Sequence, residues 1–398
     1  MSVAGLFAGI GGLELGLHSS GFHTELLCEI EPHAQRVLGS RFSGVPIAPD
    51  ITELKNLPRV DVLSAGFPCQ DLSQAGGKSG ITGNRSGLVS HLLRLVQKAK
   101  PRPKWILIEN VSYMLRLDQG QAMRFLTSAL EELGYRWAYR VVDARSFGVP
   151  QRRMRVILLA SRDEDPRNVL FADNVSDEKI VSHRLQGPLV LDSNGPNIVD
   201  ARVGKSYGFY WTEGRIGIGW TVDAVPTIKG GSGLGIPSPP AIWVPASDQF
   251  GVPSIEDGER LQGFPAGWTG EASATGRALG ARWKLVGNAV CAHVAEWVGK
   301  RLVAPGVYEP TQEHDFLKGS WPMAAYGSKG KTIRGVMLSA WPLLSRGPVL
   351  SKFLKDPLVP LSHRAAAGFL SRARLSEKIN YAPQFLSSAE RYVRRVQP

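Results

Sequence analysis

The first 160 residues alternate between short, dense apolar runs and longer segments with apolar positions at helical spacing. Ser2-Val3-Ala4-Gly5-Leu6, Glu25-Leu26-Leu27-Cys28-Glu29-Ile30, Val60 to Ala65, Trp105 to Val111 and Val156 to Ala160 have the length and character of buried strands. Between the later ones, Leu88 to Ala99 places Leu92, Leu93, Leu95 and Val96 on one helical face, and Pro101 and Pro103 close it. Met123 to Leu133 predicts another helix, and Ala138 to Val142 an edge or hairpin strand. Strands alternating with helices predict an α/β domain with a substantially parallel sheet.

The pattern then changes. Regular alternation fades from Ser161 to Ile255, where glycine-rich loops carry scattered aromatic and basic residues. It returns at Glu256, and Trp283 to Lys300 resumes a helical pattern with Val290, Val294, Trp297 and Val298 clustered. The expected organisation is a first domain over 1–160, an inserted domain over 161–255, completion of the first over 256–300, and an extension over 301–398.

Sheets of this kind do their chemistry beyond the carboxyl ends of the strands. Those positions are notable here. Phe7-Ala8-Gly9-Ile10-Gly11-Gly12 follows the first strand, as a turn leading into a helix. Its glycines let a ligand approach the backbone, although the spacing is not that of the nicotinamide fingerprint. Glu29 ends the second strand, 18 positions past Gly11, a placement suited to ribose hydroxyls. Asp50 follows a short third strand. Gly66-Phe67-Pro68-Cys69-Gln70 leaves the fourth, and Glu109 lies near the end of the fifth. Arg153 and Arg155 alternate around Met154 at strand period, so they share a face. Taken singly, each acid is an ordinary surface residue and the cysteine an ordinary packed thiol.

Composition narrows the partners. The formal net charge is +12, which favours polyanions. From Arg301 onward there are 15 Lys/Arg against 6 Asp/Glu, so most of the surplus lies in the extension. Cys28, Cys69 and Cys291 are three cysteines without zinc-site spacing or local pairing, which predicts no metal and a reduced, intracellular setting. No apolar run reaches transmembrane length, so no membrane partner is expected.

The ordered blocks Phe7 to Gly12, Gly66 to Gln70, Glu109-Asn110-Val111, Gln151-Arg152-Arg153-Met154-Arg155, Arg260 to Pro265 and Gly287-Asn288-Ala289-Val290 resemble those of the DNA cytosine-5 methyltransferases, of the prokaryotic restriction-modification type. The likeness covers residues 1 to about 300. It implies a Rossmann-like, S-adenosylmethionine-dependent methyltransferase fold with a smaller target-recognition domain and a C-terminal extension. It implies methyl transfer to C5 of a specific cytosine in duplex DNA, by base flipping and a covalent adduct at C6, with S-adenosylhomocysteine as product.

By the same likeness, Cys69 is the nucleophile. Glu109 acts at ring N3, Arg155 at the O2 edge, and Arg153 supports the loop or the acid. The cofactor is expected against Phe7, Gly9, Ile10, Gly11 and Gly12, with Glu29 on ribose and Asp50 and Ile51 at adenine. Ile30 stands where relatives often carry a stacking aromatic, and Pro68, Asn288 and Val290 complete that set. DNA contacts are expected from Gln70, Ser73, Lys78, Arg85 and Thr227. The glycine-rich stretch from Gly76 to Gly87 suits a lid over the flipped nucleotide.

In the middle interval, Tyr207, Phe209, Tyr210 and Trp211 sit among Arg202, Lys205 and Arg215. They read either as DNA-contacting residues or as a small core. The basic extension favours a phosphate-contacting role. A monomer paired with a restriction endonuclease, in the cytoplasm of a bacterial or phage-infected cell, is the expected setting. A catalytically silent homologue and an RNA cytosine-5 methyltransferase are the competing readings.

Overall fold

Dense apolar runs become central strands because only a position covered on both faces tolerates them. In the computed structural model, β1 (Ser2–Leu6), β2 (His23–Cys28), β3 (Ile47–Ala48), β4 (Val62–Ala65) and β5 (Trp105–Val111) are parallel neighbours. The residues described are 1–68, 87–185, 204–213, 217–231, 238–272, 279–316, 321–376 and 379–398. Helices α1 (Gly12–His18), α2 (Pro32–Arg41), α3 (Leu88–Lys98) and α4 (Gln121–Glu132) lie between or after these strands. The buried residues of α3 are Val89, Leu92, Leu93, Leu95 and Val96, the face its periodicity predicted. They share one core with Leu63, Ala65, Ile106 and Ile108 of the sheet.

Next come β6 (Arg136–Asp143), the short β7 (Gln151–Arg152) and β8 (Met154–Ser161). β8 runs antiparallel between β5 and β6. The strand order β3-β2-β1-β4-β5-β8-β6 reverses direction at β1 and β4, the switch point where such sheets open a ligand crevice.

Two units divide the chain. The first is Met1–Ser146, Met154–Val175 and Ala289–Leu343; the second is Phe147–Arg153, Ser176–Asn288 and Leu344–Pro398. In the second, β9 (Tyr207–Phe209), β10 (Thr221–Val222), β12 (Ala241–Val244) and β13 (Gln249–Val252) pair antiparallel, while β11 (Val225–Pro226) pairs with β7 in parallel. Helix α5 (Ile255–Leu261) follows, its Ser254 cap accepting from the Asp257 N–H. The helical pattern expected over 283–300 is carried by two helices, α6 (Leu279–Asn288) and α7 (Ala292–Val303). The break falls at residues 289–291, directly after Gly287-Asn288, residues of low helix propensity that end α6, and the chain passes between units at Ala289.

The extension beyond 301 is divided between both units. In the first, β14 (Glu313–Asp315), β15 (Ala324–Gly327) and β16 (Arg334–Val336) extend the sheet, with β15 antiparallel to β6. β6 is therefore an interior strand, antiparallel to both β8 and β15; of the two placements expected, edge or hairpin, the edge one fails. Its full burial from Trp137 to Asp143 reflects that cover, which local pattern alone does not reveal. In the second unit, β17 (Val359–Pro360) pairs with β13, and α8 (His363–Arg374) and α9 (Phe385–Arg395) supply its core. Phe209 stacks on Phe369 at 4.5 Å, and Trp220 meets Phe385 edge-on at 4.6 Å. Tyr207, Phe209 and Tyr210 are buried, so the small-core reading describes these aromatics. Arg202 and Arg215 lie outside the described residues.

Candidate active site and cofactor turn

The turn after β1 is conformationally demanding. Gly9 and Gly11 have φ of 58° and 81°, and Phe7, at 56°, adopts the same left-handed region. For a bulky residue that conformation costs on the order of 1–3 kcal/mol and persists only where surroundings enforce it. Phe7 is held edge-on to Phe67 at 6.1 Å, and the Ala8 N–H donates to the Cys28 carbonyl. At Gly11 a side chain would meet the Phe42 ring at 2.3 Å. Ile10 is buried beside it, and Gly12 starts α1.

Glu29, one residue past β2, accepts from the Gly9 N–H at 2.7 Å and the Glu31 N–H at 2.8 Å. Burial pushes its carboxyl above the ordinary range, and these backbone donors partly offset that. Each carboxylate oxygen retains acceptor capacity for a further donor. Next to it, Ile30 is 70% exposed, a large apolar surface left in water. Asp50 follows β3 and accepts from the Thr52 N–H at 2.8 Å, which holds its carboxyl below the ordinary range. Ile51 is buried behind it.

The exit of β4 brings the parts together. A side-chain carbon at Gly66 would stand 3.6 Å from Val290 Cγ2, 3.9 Å from Glu109 Oε2 and 3.9 Å from the Phe7 carbonyl oxygen. One glycine thus borders the turn after β1, the acid of β5 and the late block. Asn110 Nδ2 donates to the Phe67 carbonyl at 2.9 Å, fixing the chain just before exposed Pro68. Asn110 is 3% exposed; the Glu109-Asn110-Val111 block contains it, but nothing in its spacing marks this holding role.

Glu109 is nearly buried, and its Oε1 lies 2.9 Å from Arg155 Nε. That oxygen makes no hydrogen bond of good geometry among the described residues, so the contact is an ion pair whose N–H is not aimed at the oxygen. Arg155 also donates through Nη1 to the Met154 carbonyl. Register pairs Val111 with Arg155, which puts both charged groups at the carboxyl end of β5.

Within the second unit, Arg153 is 2% exposed and donates to the Ile228 carbonyl at 3.1 Å and the Gly287 carbonyl at 3.3 Å. These bonds tie three chain segments together, which is a positioning arrangement. Thr227 Oγ1 donates to the Arg152 carbonyl at 2.8 Å, and Asn288 is exposed beside Gly230. Gln151, fully buried, accepts from the Ile228 N–H and donates to the Leu261 carbonyl and to Gln262. Gln262 in turn donates to the Val286 carbonyl. The sequence blocks around 151, 262 and 287 are thereby one amide network, a role hidden from spacing because its members are far apart in the chain.

Cys28 and Cys291 are both buried. Desolvation, with Glu29 and Asp50 nearby, pushes the Cys28 thiol up to about 12, which rules it out as a thiolate near neutral pH. Cys69, Gln70, Ser73, Lys78 and Arg85, with the expected lid, lie outside the described residues. No group of three or more His, Cys, Asp or Glu placed to hold a metal ion occurs among the described residues.

A family model for C-5 cytosine-specific DNA methylases matches residues 1–200. A type II methyltransferase of Bacillus subtilis (strain 168), M2.BsuMI, is 51% identical over 395 residues, covering 98% of each chain. The chain belongs to the C-5 cytosine-specific DNA methylases. Type II methyltransferase M.SsoII of Shigella sonnei is 29% identical over 315 residues, 75% of this chain and 79% of its own. The crystal structure of S. pombe Dnmt2 methyltransferase aligns over 76% of this chain and 98% of its own, with 15% identity and a TM-score of 0.49.

This methyltransferase moves a methyl group from S-adenosylmethionine to C5 of cytosine in DNA, with base flipping and a catalytic cysteine. The residues present fit the cofactor: a glycine turn with an open backbone, a carboxylate with acceptor capacity, and an exposed isoleucine that a flat ring would cover. Among the described residues, no helix is long and apolar enough to cross a membrane.

Proposed function

We propose that this methyltransferase modifies a specific cytosine within duplex DNA through a covalent adduct between Cys69 and ring C6. The observation that carries the reading is the meeting of Phe7, Glu109 and Val290 around Gly66, three residues before Cys69. S-adenosylmethionine supplies an electrophilic methyl group. Phe7, Gly9, Ile10, Gly11 and Gly12 shape its cradle, with Glu29 accepting from ribose hydroxyls. Ile30, Asp50 and Ile51 border adenine, and Pro68, Asn288 and Val290 close the region.

The chemistry asked of the protein is activation of a weak carbon nucleophile. The Cys69 thiolate bonds to C6, and the displaced π electrons raise the density at C5. Glu109 hydrogen-bonds to N3 through a shared proton, which moves onto N3 as the adduct gathers charge there. Arg155 holds Glu109 and reaches the O2 edge, while Arg153 positions the segments around Ile228 and Gly287. After transfer the C5 proton leaves and the sulfur–C6 bond breaks, regenerating Cys69. Gln70, Ser73, Lys78 and Arg85 contact the DNA, with Thr227 supporting the Arg152 backbone. Residues 161–255 form the target-recognition domain, with 1–160 and 256–300 as the catalytic domain and 301–398 as its extension.

The relative M2.BsuMI is named a type II methyltransferase. By analogy the protein acts as a monomer, in the cytoplasm of a bacterial or phage-infected cell, protecting sites from a partner endonuclease. The test is Cys69→Ser, assayed with labelled donor on duplex DNA and on transfer RNA. Transfer to duplex should fall at least 1,000-fold (~4 kcal/mol) while calorimetric cofactor binding is kept. Near-normal turnover would refute the nucleophile, and transfer to RNA alone would refute the substrate.

A further inference from the structure

The end of the first unit's sheet remote from Glu109 holds a cavity of about 520 Å³. It is walled by the start of β6, the turn after β8 and the hairpin joining β15 to β16. Register makes the separation plain. Arg155 pairs with Val111 and Val142 at one end of β8, whereas Ser161 pairs with Trp105 and Arg136 at the other. Six residue steps at about 3.3 Å each put roughly 20 Å between the two ends.

The lining is strongly cationic. Arg136, Arg162, Arg167, Lys329, Lys331 and Arg334 face one carboxylate, Asp165. That carboxylate is already engaged by Arg167, Nε to Oδ1 at 3.0 Å and Nη2 to Oδ2 at 2.6 Å. The Arg167 guanidinium also lies 4.6 Å over the Tyr326 ring, so it is fixed in place. Arg334 is held by Asp315. Among the described residues, Arg136, Arg162, Lys329 and Lys331 form no ion pair. Arg136 acts on Asp165 from beyond ion-pair distance, so one carboxylate is shared by several cations; the surplus positive charges around one hollow repel each other, and an anion bound between them relieves that repulsion. The volume falls in the range of small-molecule sites.

We infer that this cavity is a second ligand site, for a small anion carrying two or more phosphate groups. Inorganic polyphosphate and a nucleoside polyphosphate share that chemistry. The Gly330-Lys331-Thr332 turn adds a hydroxyl and an open backbone, with Gly330 at φ 75°. No helix follows that turn, so the site binds without the helix-end cradle of phosphate-hydrolysing loops. Roughly 20 Å corresponds to about six base pairs of duplex, so competition by DNA is an arm of the test, while the cavity volume suits a small ligand. Three of these cations, Lys329, Lys331 and Arg334, belong to the basic surplus of the extension.

The experiment is calorimetric titration of the full chain with tripolyphosphate and, separately, with ATP, at physiological ionic strength. Lys329→Glu/Lys331→Glu is the main variant and Lys329→Gln/Lys331→Gln the milder one; both positions are exposed. The wild type should bind one anion, with affinity at least tenfold weaker in the Glu variant and intermediate in the Gln variant. Tighter ATP than tripolyphosphate binding identifies a nucleotide site, and equal binding an inorganic one; both support the inference. No saturable binding, equal affinity in all three proteins, or displacement of the anion by a short duplex would overturn it.

Discussion

Removing Arg155 tests the site at its most constrained contact. Glu109 and Arg155 lie 2.9 Å apart, with side-chain exposures of 10% and 14%. Arg155→Leu keeps much of the stem and removes the guanidinium, leaving a carboxylate largely out of water. Breaking a buried pair by deleting one partner costs about 3–5 kcal/mol. Residual solvent access and the poorly aimed N–H reduce this, so ~2–3 kcal/mol is expected. Glu109→Gln keeps the shape and removes the charge, and the double variant closes a cycle whose coupling should be about 1–2 kcal/mol. Urea unfolding at pH 7 reads the stability arm. Single-turnover methyl transfer at saturating cofactor reads the chemical arm, where either single variant should slow transfer about 100- to 1,000-fold. Additive stabilities, together with an unchanged single-turnover rate for Arg155→Leu, would refute the pair as both a structural and a catalytic unit.

Three further outcomes follow from other positions. Fully burying an isoleucine is worth about 1.5–3 kcal/mol, and a ring covering one face of Ile30 recovers only part of it, so Ile30→Ala should weaken S-adenosylhomocysteine binding roughly 2- to 5-fold by calorimetry; unchanged affinity would remove Ile30 from the site. Burial pushes the Glu14 carboxyl above its ordinary 4.5, with Ser64 donating to it at 2.7 Å. The folded state therefore holds that proton more tightly than the unfolded chain, and stability falls as pH rises from about 4.5 through the raised folded value. Glu14→Gln should then be more stable than wild type at pH 7.5 in urea melts, with the gap narrowing toward pH 5; a constant gap would contradict this. Phe385 is fully buried among Trp220, Trp243 and Phe250, so Phe385→Ala should cost about 3–5 kcal/mol, while exposed Arg394→Ala leaves the melt unmoved.

The strands β1, β4 and β5 were legible because complete burial leaves a dense apolar run, and the candidate residues at their ends were legible because strand exits are marked by glycine and proline. Glu29 and Asp50 fall just past β2 and β3, as the spacing indicated. The interior place of β6 was not legible, since its cover arrives from residues 324–327, nearly two hundred positions later. The same holds for Asn110 and Gln151, whose work is to hold backbone carbonyls that sequence distance conceals. Tyr207 and Phe209 could be read either as DNA contacts or as core; their partners, Phe369 and Phe385, lie in a segment whose charge drew attention away from its apolar face.

Synthesis order gives the late segments a consequence of their own. A ribosome releases earlier segments before later ones, yet the cover of β6 arrives with residues 324–327 and the aromatic core of the second unit with α8 and α9. During translation both units wait with exposed apolar surface, the state in which chains recruit chaperones or aggregate. Transplanting part of this unit into a relative faces the same constraint. A transplanted 204–252 stretch would bring half a core, without the 361–392 segment it packs against.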